Sequence, residues 1–309
     1  MTGPIVILGA FFVDLACRAD RMPAWGETLH GSSFAFGPGG KGANQAVAAA
    51  RQGARVEMIT RVGRDVFGDM ARDLFVKEHI GTDFVLTDDV SPTGTATIIV
   101  DDATAENAII IVPGACGRLS ISDVEAATTT IASASFFVSQ LEIELAACWR
   151  GMEIAHRAGV PVLLNPAPAI ELPESAFPMV SYLTPNETEA AALTGMLITD
   201  LAGAKAAAGR LRDLGVRNVI ITLGEVGAYV NGESFEGVVP AFRAGPVRDT
   251  TGAGDAFNGG FVAALSEGAG LREAAQFGCA VAGISVTRPG TAPSMPSRNE
   301  VEKILGAAS

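Results

Sequence analysis

A chain of 309 residues, 48% hydrophobic and 18% charged, has the apolar content for a substantial core. That excludes a disordered chain and predicts one large α/β domain with an appendage, or two domains. With 22 basic against 34 acidic side chains the formal charge is -12, which argues against a nucleic-acid backbone or an anionic membrane as partner and leaves room for a small anion in a local positive field. Cys17, Cys116, Cys148 and Cys279 are far apart with no CxxC or Cys/His pairing, and His30, His79 and His156 are equally scattered. This pattern speaks against structural zinc and for reduced thiols.

In chain order, IVILGA (5–10) reads as a buried strand, and the longer apolar run IVILGAFFV (5–13) is too short to cross a bilayer, lacks a basic flank and meets Asp14, so a cytoplasmic protein is expected. ETLHGSSFAFG (27–37) alternates apolar and polar residues as a half-exposed strand does. The helical stretch GANQAVAAARQ (42–52) precedes the strand VEMIT (56–60), and the helix VFGDMARDLFVKEH (66–79) follows. TGTATIIVDDATAENAIIIV (93–112) again alternates, with DDATAEN as a turn between two strand-like halves. Then SFFVSQL (135–141), VPVLLN (160–165) and NVIITLG (218–224) read as buried strands, separated by the helices AACWRGMEIAHRA (146–158) and AGAKAAAGRLRDL (202–214). This βαβ alternation predicts a doubly wound, mostly parallel sheet. The two alternating segments predict a small antiparallel sheet, discontinuous in sequence, lying as a lid on the larger domain. Its apolar face needs cover from substrate or a second subunit, and a homodimer formed lid to lid is expected.

DTTGAGDAFNGG (249–260) sets two acids around a glycine loop at a helix start. Free backbone N–H groups there favour phosphate, and glycines allow its close approach. Asp255 would repel phosphate, a conflict that resolves if it is a base for a hydroxyl attacking phosphate bound beside it. The backbone N–H groups of Gly252, Ala253, Gly254 and Asp255 then form an anion hole for developing charge. GPGGKG (37–42) fits G-x-G-x-x-G, but it does not follow the first strand, and VEMIT ends in Thr60 and Arg61 instead of a ribose-binding acid. Gly40-Lys41 is followed by Gly42, which excludes a Walker A loop, and the HRD and DFG signatures of protein kinases are missing. In TPNETEA, Asn186 and Glu189 form a capping box by pattern alone.

Together GPGGKGANQA, LNPAPA, TPNETEA, ITLGEVG and DTTGAGDAFNGG resemble the ribokinase-like (PfkB) carbohydrate kinase family, from residue 5 to about 298. The resemblance implies a Rossmann-like α/β fold over 1–309 with lid segments at about 15–37 and 93–112. It also implies transfer of the γ-phosphoryl of ATP to a sugar hydroxyl, usually a primary one, with Asp255 as base. By the same resemblance Asp14, Gly40, Lys41, Gly42, Ala43, Asn44, Glu142 and Asp255 meet the sugar, and Lys41 adds positive charge for the phosphates. Asn186, Thr222, Leu223, Gly224, Glu225, Val226, Gly227 and Gly254 line ATP, with Cys279 either near adenine or in the core. Asn186 and Glu189 organise Mg2+ through water, a role compatible with capping. Asp249, Thr251, Ser285, Arg288, Gly290 and Ser294 match loops that hold a monovalent cation, K+, or else form a surface loop stiffened by Pro289 and Pro293.

One position departs. The nearest family pattern has Asn two residues before the sugar-binding aspartate, and this chain has Phe12. If residues 11–14 are extended, Phe12 shares the side of Asp14, and the preference moves toward a sugar lacking one hydroxyl, 2-deoxyribose first. If the chain turns at Val13, Phe12 is simply core. A kinase of nucleosides or hexoses, and a sugar-binding sensor without catalysis, remain as alternatives.

Overall fold

The computed structural model describes residues 3–104 and 106–307; Ala105, inside the expected DDATAEN turn, lies outside the described residues, as do both ends of the 1–309 span. Its strands are β1 (Ile5–Leu8), β2 (Phe12–Ala19), β3 (Ser33–Gly39), β4 (Val56–Gly63), β5 (Gly81–Asp88), β6 (Gly94–Asp101), β7 (Asn107–Val112), β8 (Phe136–Ser139), β9 (Val162–Leu164), β10 (Tyr182–Leu183), β11 (Asn218–Thr222), β12 (Gly227–Asn231) and β13 (Glu236–Pro240). Nine of them form one sheet in the order β13-β12-β11-β10-β9-β8-β1-β4-β5. It is parallel from β5 to β11 and antiparallel only at the β11-β12-β13 edge.

The short apolar runs become central strands because both faces are covered. Along β1, Ile5 and Ile7 enter the apolar cluster that holds Val47, Phe75 and Phe261, while Val6 and Leu8 enter the opposite one with Cys148, Met152 and Leu211. The helices Lys41–Arg51, Val66–Lys77, Ala253–Ser266 and Leu271–Ser285 contribute to the first layer. Leu145–Arg157 and Leu201–Asp213 contribute to the second. The doubly wound expectation holds.

The lid is a separate four-stranded sheet, β3-β2-β6-β7. It is mixed, where an antiparallel sheet was expected: β2 pairs with β6 in parallel, and β3 and β7 flank them antiparallel. The cause is topological. β2 leaves from the end of β1 and β6 from the end of β5, and β1, β4 and β5 run in parallel, so both chains exit the same edge in the same direction. The strand read at 27–37 is shifted to Ser33–Gly39. Residues 27–32 join no strand, and Glu27 instead closes a turn by accepting the Ala24 N–H at 2.9 Å and pairing with Arg21. Phe34 and Phe36 on β3 stack at 6.0 Å with both rings largely exposed, giving the lid an apolar face.

Candidate active site

The helix Ala253–Ser266 starts at Gly252, whose φ of 78° is left-handed and suits glycine. Asp255 falls in its first turn and is buried, with 5% of its surface exposed. Both carboxylate oxygens are held from another helix: Asn44 Nδ2 donates to Oδ2 and Gln45 Nε2 to Oδ1, each at 2.9 Å. The Ala253 N–H donates to the Thr250 carbonyl at 3.1 Å. Of the expected anion hole this leaves the Gly252, Gly254 and Asp255 N–H groups, which a helix start cannot satisfy internally.

The GGKGAN segment opens the helix Lys41–Arg51. Its glycines serve packing: a Cβ on Gly40 would lie 2.7 Å from the Phe12 nitrogen, and one on Gly42 2.7 Å from Gly9 Cα. The helix start therefore presses on the exit of β1, which places Lys41, Asn44 and Gln45 beside the sheet's carboxyl edge. Glu142, three residues past β8, accepts the Lys41 N–H at 2.8 Å, so a carboxylate from the sheet covers this helix N-terminus. Burial pushes Glu142 up to about 7 against the opposing charge of Lys41. Asp14 on β2 is likewise pushed up to about 6, first by burial, with Asp255 and Asp249 adding to it. The Thr291 hydroxyl, 3.2 Å from Asp14 Oδ2, acts the other way. Burial alone would lower Lys41, but Asp255, Glu142, Glu189 and Asp14 outweigh it and raise it, so its ammonium is a firm cation among four carboxylates.

A cavity of about 150 Å³ lies beside Lys41 and Asp255, lined also by Asn186, Glu189, Thr222, Gly252, Ala253 and Gly254; Asp14, Gly40, Gly42, Ala43, Asn44 and Glu142 are not on its wall. Asn165, Thr184, Thr250 and Asn258 line it as well, although sequence reasoning gave none of them a role. Asn186 and Glu189 form the full capping box of the helix Glu187–Thr194, with N–H bonds at 2.9 and 2.8 Å. One Glu189 oxygen is thereby engaged and one is left, on a side chain that burial raises in pKa. Among the described residues no group of three or more His, Cys, Asp and Glu is set to grip a metal directly. The oxygens that Asn186 and Glu189 bring to the cavity are hard donors of the kind Mg2+ takes.

Thr222 bridges to Asn186 across the strand ends. After it Leu223 is buried, Gly224, Glu225 and Val226 form an exposed tight turn, and Gly227 (φ 113°) starts β12 against Val239. Asp249 ties the two cation-matching loops together by accepting the Thr251 and Gly290 N–H groups, each at 2.9 Å. Ser285 and Ser294 are buried, and Arg288 pairs with Glu300. Cys279 is not brought to the cavity: it lies in the core with its thiol 4.0 Å from the Val239 carbonyl and its pKa pushed up to about 12 by burial.

Phe12 is 2% exposed and also absent from the cavity wall, packed in the cluster with Leu8, Cys116 and Leu141. The chain does not turn at Val13: Phe12–Ala19 is one extended strand. Phe12 and Asp14 accordingly share a face, the phenyl ring lying over Gly94 and the carboxylate over Gly39.

A buried carboxylate beside an open helix N-terminus at the carboxyl edge of a doubly wound sheet is an arrangement suited to a phosphotransferase, and comparison with known proteins gives that class. The model of the pfkB family carbohydrate kinases matches residues 4–298, and the chain belongs to that family. It is 39% identical over 305 residues to a ribokinase of Haemophilus influenzae, covering 99% of each. To a deoxyribokinase of Salmonella typhi it is 39% identical over 302 residues, covering 97% of this chain and 98% of that one. The structure of Arabidopsis thaliana ribokinase complexed with ribose and ATP matches it with a TM-score of 0.91 at 31% identity, covering 99% of both. The protein is therefore a ribokinase-like carbohydrate kinase. No helix among the described residues is long and apolar enough to cross a membrane.

Proposed function

We infer that this kinase transfers the γ-phosphoryl group of ATP to the primary hydroxyl of a pentose, ribose or 2-deoxyribose. The observation that carries the reading is Asp255, buried in the first turn of a helix whose N-terminal amides line a cavity, with both oxygens held by amide side chains. The hydroxyl is placed by Asp14, Asn44 and Glu142, with Gly40, Gly42 and Ala43 as backbone wall. Its oxygen attacks the γ-phosphorus while the bond to the ADP oxygen breaks, and its proton passes to Asp255. Charge on the transferred group is met by the amides of Gly252, Gly254 and Asp255 and by the Lys41 ammonium. Mg2+ held through water by Asn186 and Glu189 supplies further countercharge to the phosphates.

The turn Thr222–Gly227 supports the nucleotide beside Asn186. The loops joined by Asp249 suit K+, supplied by the carbonyls of Thr251, Ser285, Arg288 and Gly290 and by oxygens of Asp249 and Ser294. The stacked Phe34 and Phe36 support a lid-to-lid homodimer. Equal rates in potassium and sodium, or a monomeric mass by light scattering at micromolar concentration, would remove these two features respectively.

The test of the reaction is a coupled ATP-consumption screen over pentoses, deoxypentoses, hexoses and nucleosides, run on the wild type and Asp255→Asn. The variant should bind nucleotide and lose turnover by orders of magnitude, because an amide cannot take the proton. More than roughly a tenth of the wild-type kcat in the variant excludes Asp255 as base.

Phe12 sharpens the sugar. A phenyl ring on the face of Asp14 offers a hydroxyl no partner, and an unpaired buried hydroxyl costs about 1–3 kcal/mol, roughly 5- to 150-fold in affinity. Phe12 is buried off the cavity wall, so it reads the sugar only where the pentose reaches the ring beside Asp14; in that case 2-deoxyribose is the favoured pentose. The Phe12→Asn variant should shift the kcat/KM ratio toward ribose; an unchanged ratio means that Phe12 does not read the sugar.

A further inference from the structure

Behind Asp255 stands a chain of side-chain amides that the reaction leaves without a role. Gln45 is fully buried; its Nε2 donates to Asp255 Oδ1 at 2.9 Å and to Asn165 Oδ1 at 3.1 Å, and its Oε1 accepts from Gln140 Nε2 at 2.7 Å. Asn165 Nδ2 donates to the Thr184 carbonyl at 3.0 Å. Gln140, Asn165 and Thr184 each follow the last residue of a strand, β8, β9 and β10, which are neighbours in the sheet. One rigid edge therefore holds the whole chain.

The orientation of every amide in it is determined. A backbone carbonyl only accepts, so the Thr184 oxygen fixes the Asn165 amide with Oδ1 toward Gln45. Asn165 Oδ1 and the Asp255 carboxylate both demand donors, so Gln45 must turn its NH2 to them and its oxygen to Gln140. A flipped Gln45 would set its oxygen against two acceptors and its NH2 against another NH2. Asn44, the other ligand of Asp255, is likewise oriented by the carboxylate, which only accepts; its Oδ1, like Gln140 Oε1 at the far end of the chain, is buried without a partner, whereas Gln45 has partners on both its oxygen and its nitrogen.

We propose that Gln45, locked by Gln140 and Asn165, is a positioning residue that aims the Asp255 carboxylate at the attacking hydroxyl. The inference rests on the proposed phosphoryl transfer. With Oδ1 pinned to the sheet edge through Gln45, the carboxylate cannot swing about its own axis, and the lone pair turned to the cavity keeps its direction. Gln140 touches Asp255 only through Gln45, so its effect must pass through that residue.

The experiment compares Gln45→Met, Gln140→Met and the double variant, with kcat and KM measured for ATP and for the pentose that the wild type uses best. Gln45→Met should lower kcat roughly 10- to 100-fold, the scale of a misplacement near 1 Å, with both KM values within about twofold. Gln140→Met should cost roughly fivefold in kcat, the scale of one hydrogen bond. The double variant should be no slower than Gln45→Met alone, whereas two independent packing defects would multiply. A kcat within about twofold of wild type in Gln45→Met, a loss confined to KM, or multiplicative losses in the double variant would each overturn the proposal. If Gln45→Met does not fold, Gln140→Met decides: a kcat loss at constant KM supports the relay, and an unchanged kcat refutes it. Failure of the underlying reaction shows separately, as a wild type that phosphorylates no pentose.

Discussion

Two helix starts face each other across this site, both capped by a left-handed glycine, Gly40 with φ 86° and Gly252 with φ 78°, and they use glycine for opposite ends. At the first, Gly40 and Gly42 are pressed against the backbone of residues 9–12, just past β1, so that a side chain has no room. Its N-terminal amide is covered by an anion from the chain itself, since Glu142 accepts the Lys41 N–H. At the second, Gly254 has nothing within 4 Å of its missing Cβ, and the helix has no side-chain cap. One N-terminus is closed by the fold and the other is left for an anion from outside. Glycine at a helix start is thus no phosphate signal by itself; what matters is whether a group of the chain already accepts from the N-terminal amides.

Alanine at each position breaks the comparison in opposite ways. Gly254→Ala adds a methyl where space is free and the backbone is helical, so stability should hold or rise by about 0.5–1 kcal/mol. The methyl obstructs close approach of a phosphate, and kcat/KM for ATP should fall on the order of a hundredfold, the scale of a lost oxyanion donor. Gly42→Ala should do the reverse, costing about 1–3 kcal/mol or more through overpacking. That lowers Tm by several degrees, while KM for ATP of the folded fraction should stay within about twofold, since Gly42 packs on Gly9 and Ala10 and is off the cavity wall that Gly254 lines. Melting curves beside steady-state rates separate the two. An active Gly254→Ala, or a Gly42→Ala as stable as wild type, would erase the distinction.

The same contrast marks what the sequence could reveal. IVILGA and NVIITLG announced β1 and β11 because strands buried on both faces are apolar without interruption. β10 has two residues, Tyr182–Leu183, too short for any periodic signal. β2 escaped definition because FVDLACRA carries Asp14 and Arg18 inside it, and its place at the centre of the lid depends on pairing with β6, some 80 residues on. Asp255 and the glycine loop were legible because chemistry puts an acid and an anion site in one short stretch. The amide network was not. Gln45 meets Asp255 at a separation of 210 residues and Asn165 at 120, and a buried glutamine in an alanine-rich helix carries no mark of its partners. Cys279 is a different case: the sequence leaves it either near adenine or in the core, and the fold buries its thiol beside the Val239 carbonyl.

The smallest expected effect concerns the anion that the chain supplies to its own helix. In the folded protein burial raises Glu142 from 4.5 to about 7 and Asp14 from 3.8 to about 6. A carboxyl raised on folding binds its proton more tightly in the folded state. Its contribution is therefore complete below the unfolded pKa and is lost as pH rises through the folded one. The share from Asp14 is largely gone by about pH 6.5, so between pH 6.5 and 8 Glu142 dominates among these two, with a loss of about 1 kcal/mol. In the ligand-free enzyme Tm should fall across that window by about 2 °C. Glu142→Gln keeps an acceptor for the Lys41 N–H but has no proton to lose, so its Tm should be flatter over the same range. Sugar reverses the preference, because its hydroxyls donate to a charged carboxylate, and saturating pentose should raise Tm more at pH 8 than at pH 6.5. A wild-type slope equal to that of Glu142→Gln would mean that Glu142 does not titrate between pH 6.5 and 8 and that its burial does not set the pH dependence of stability there.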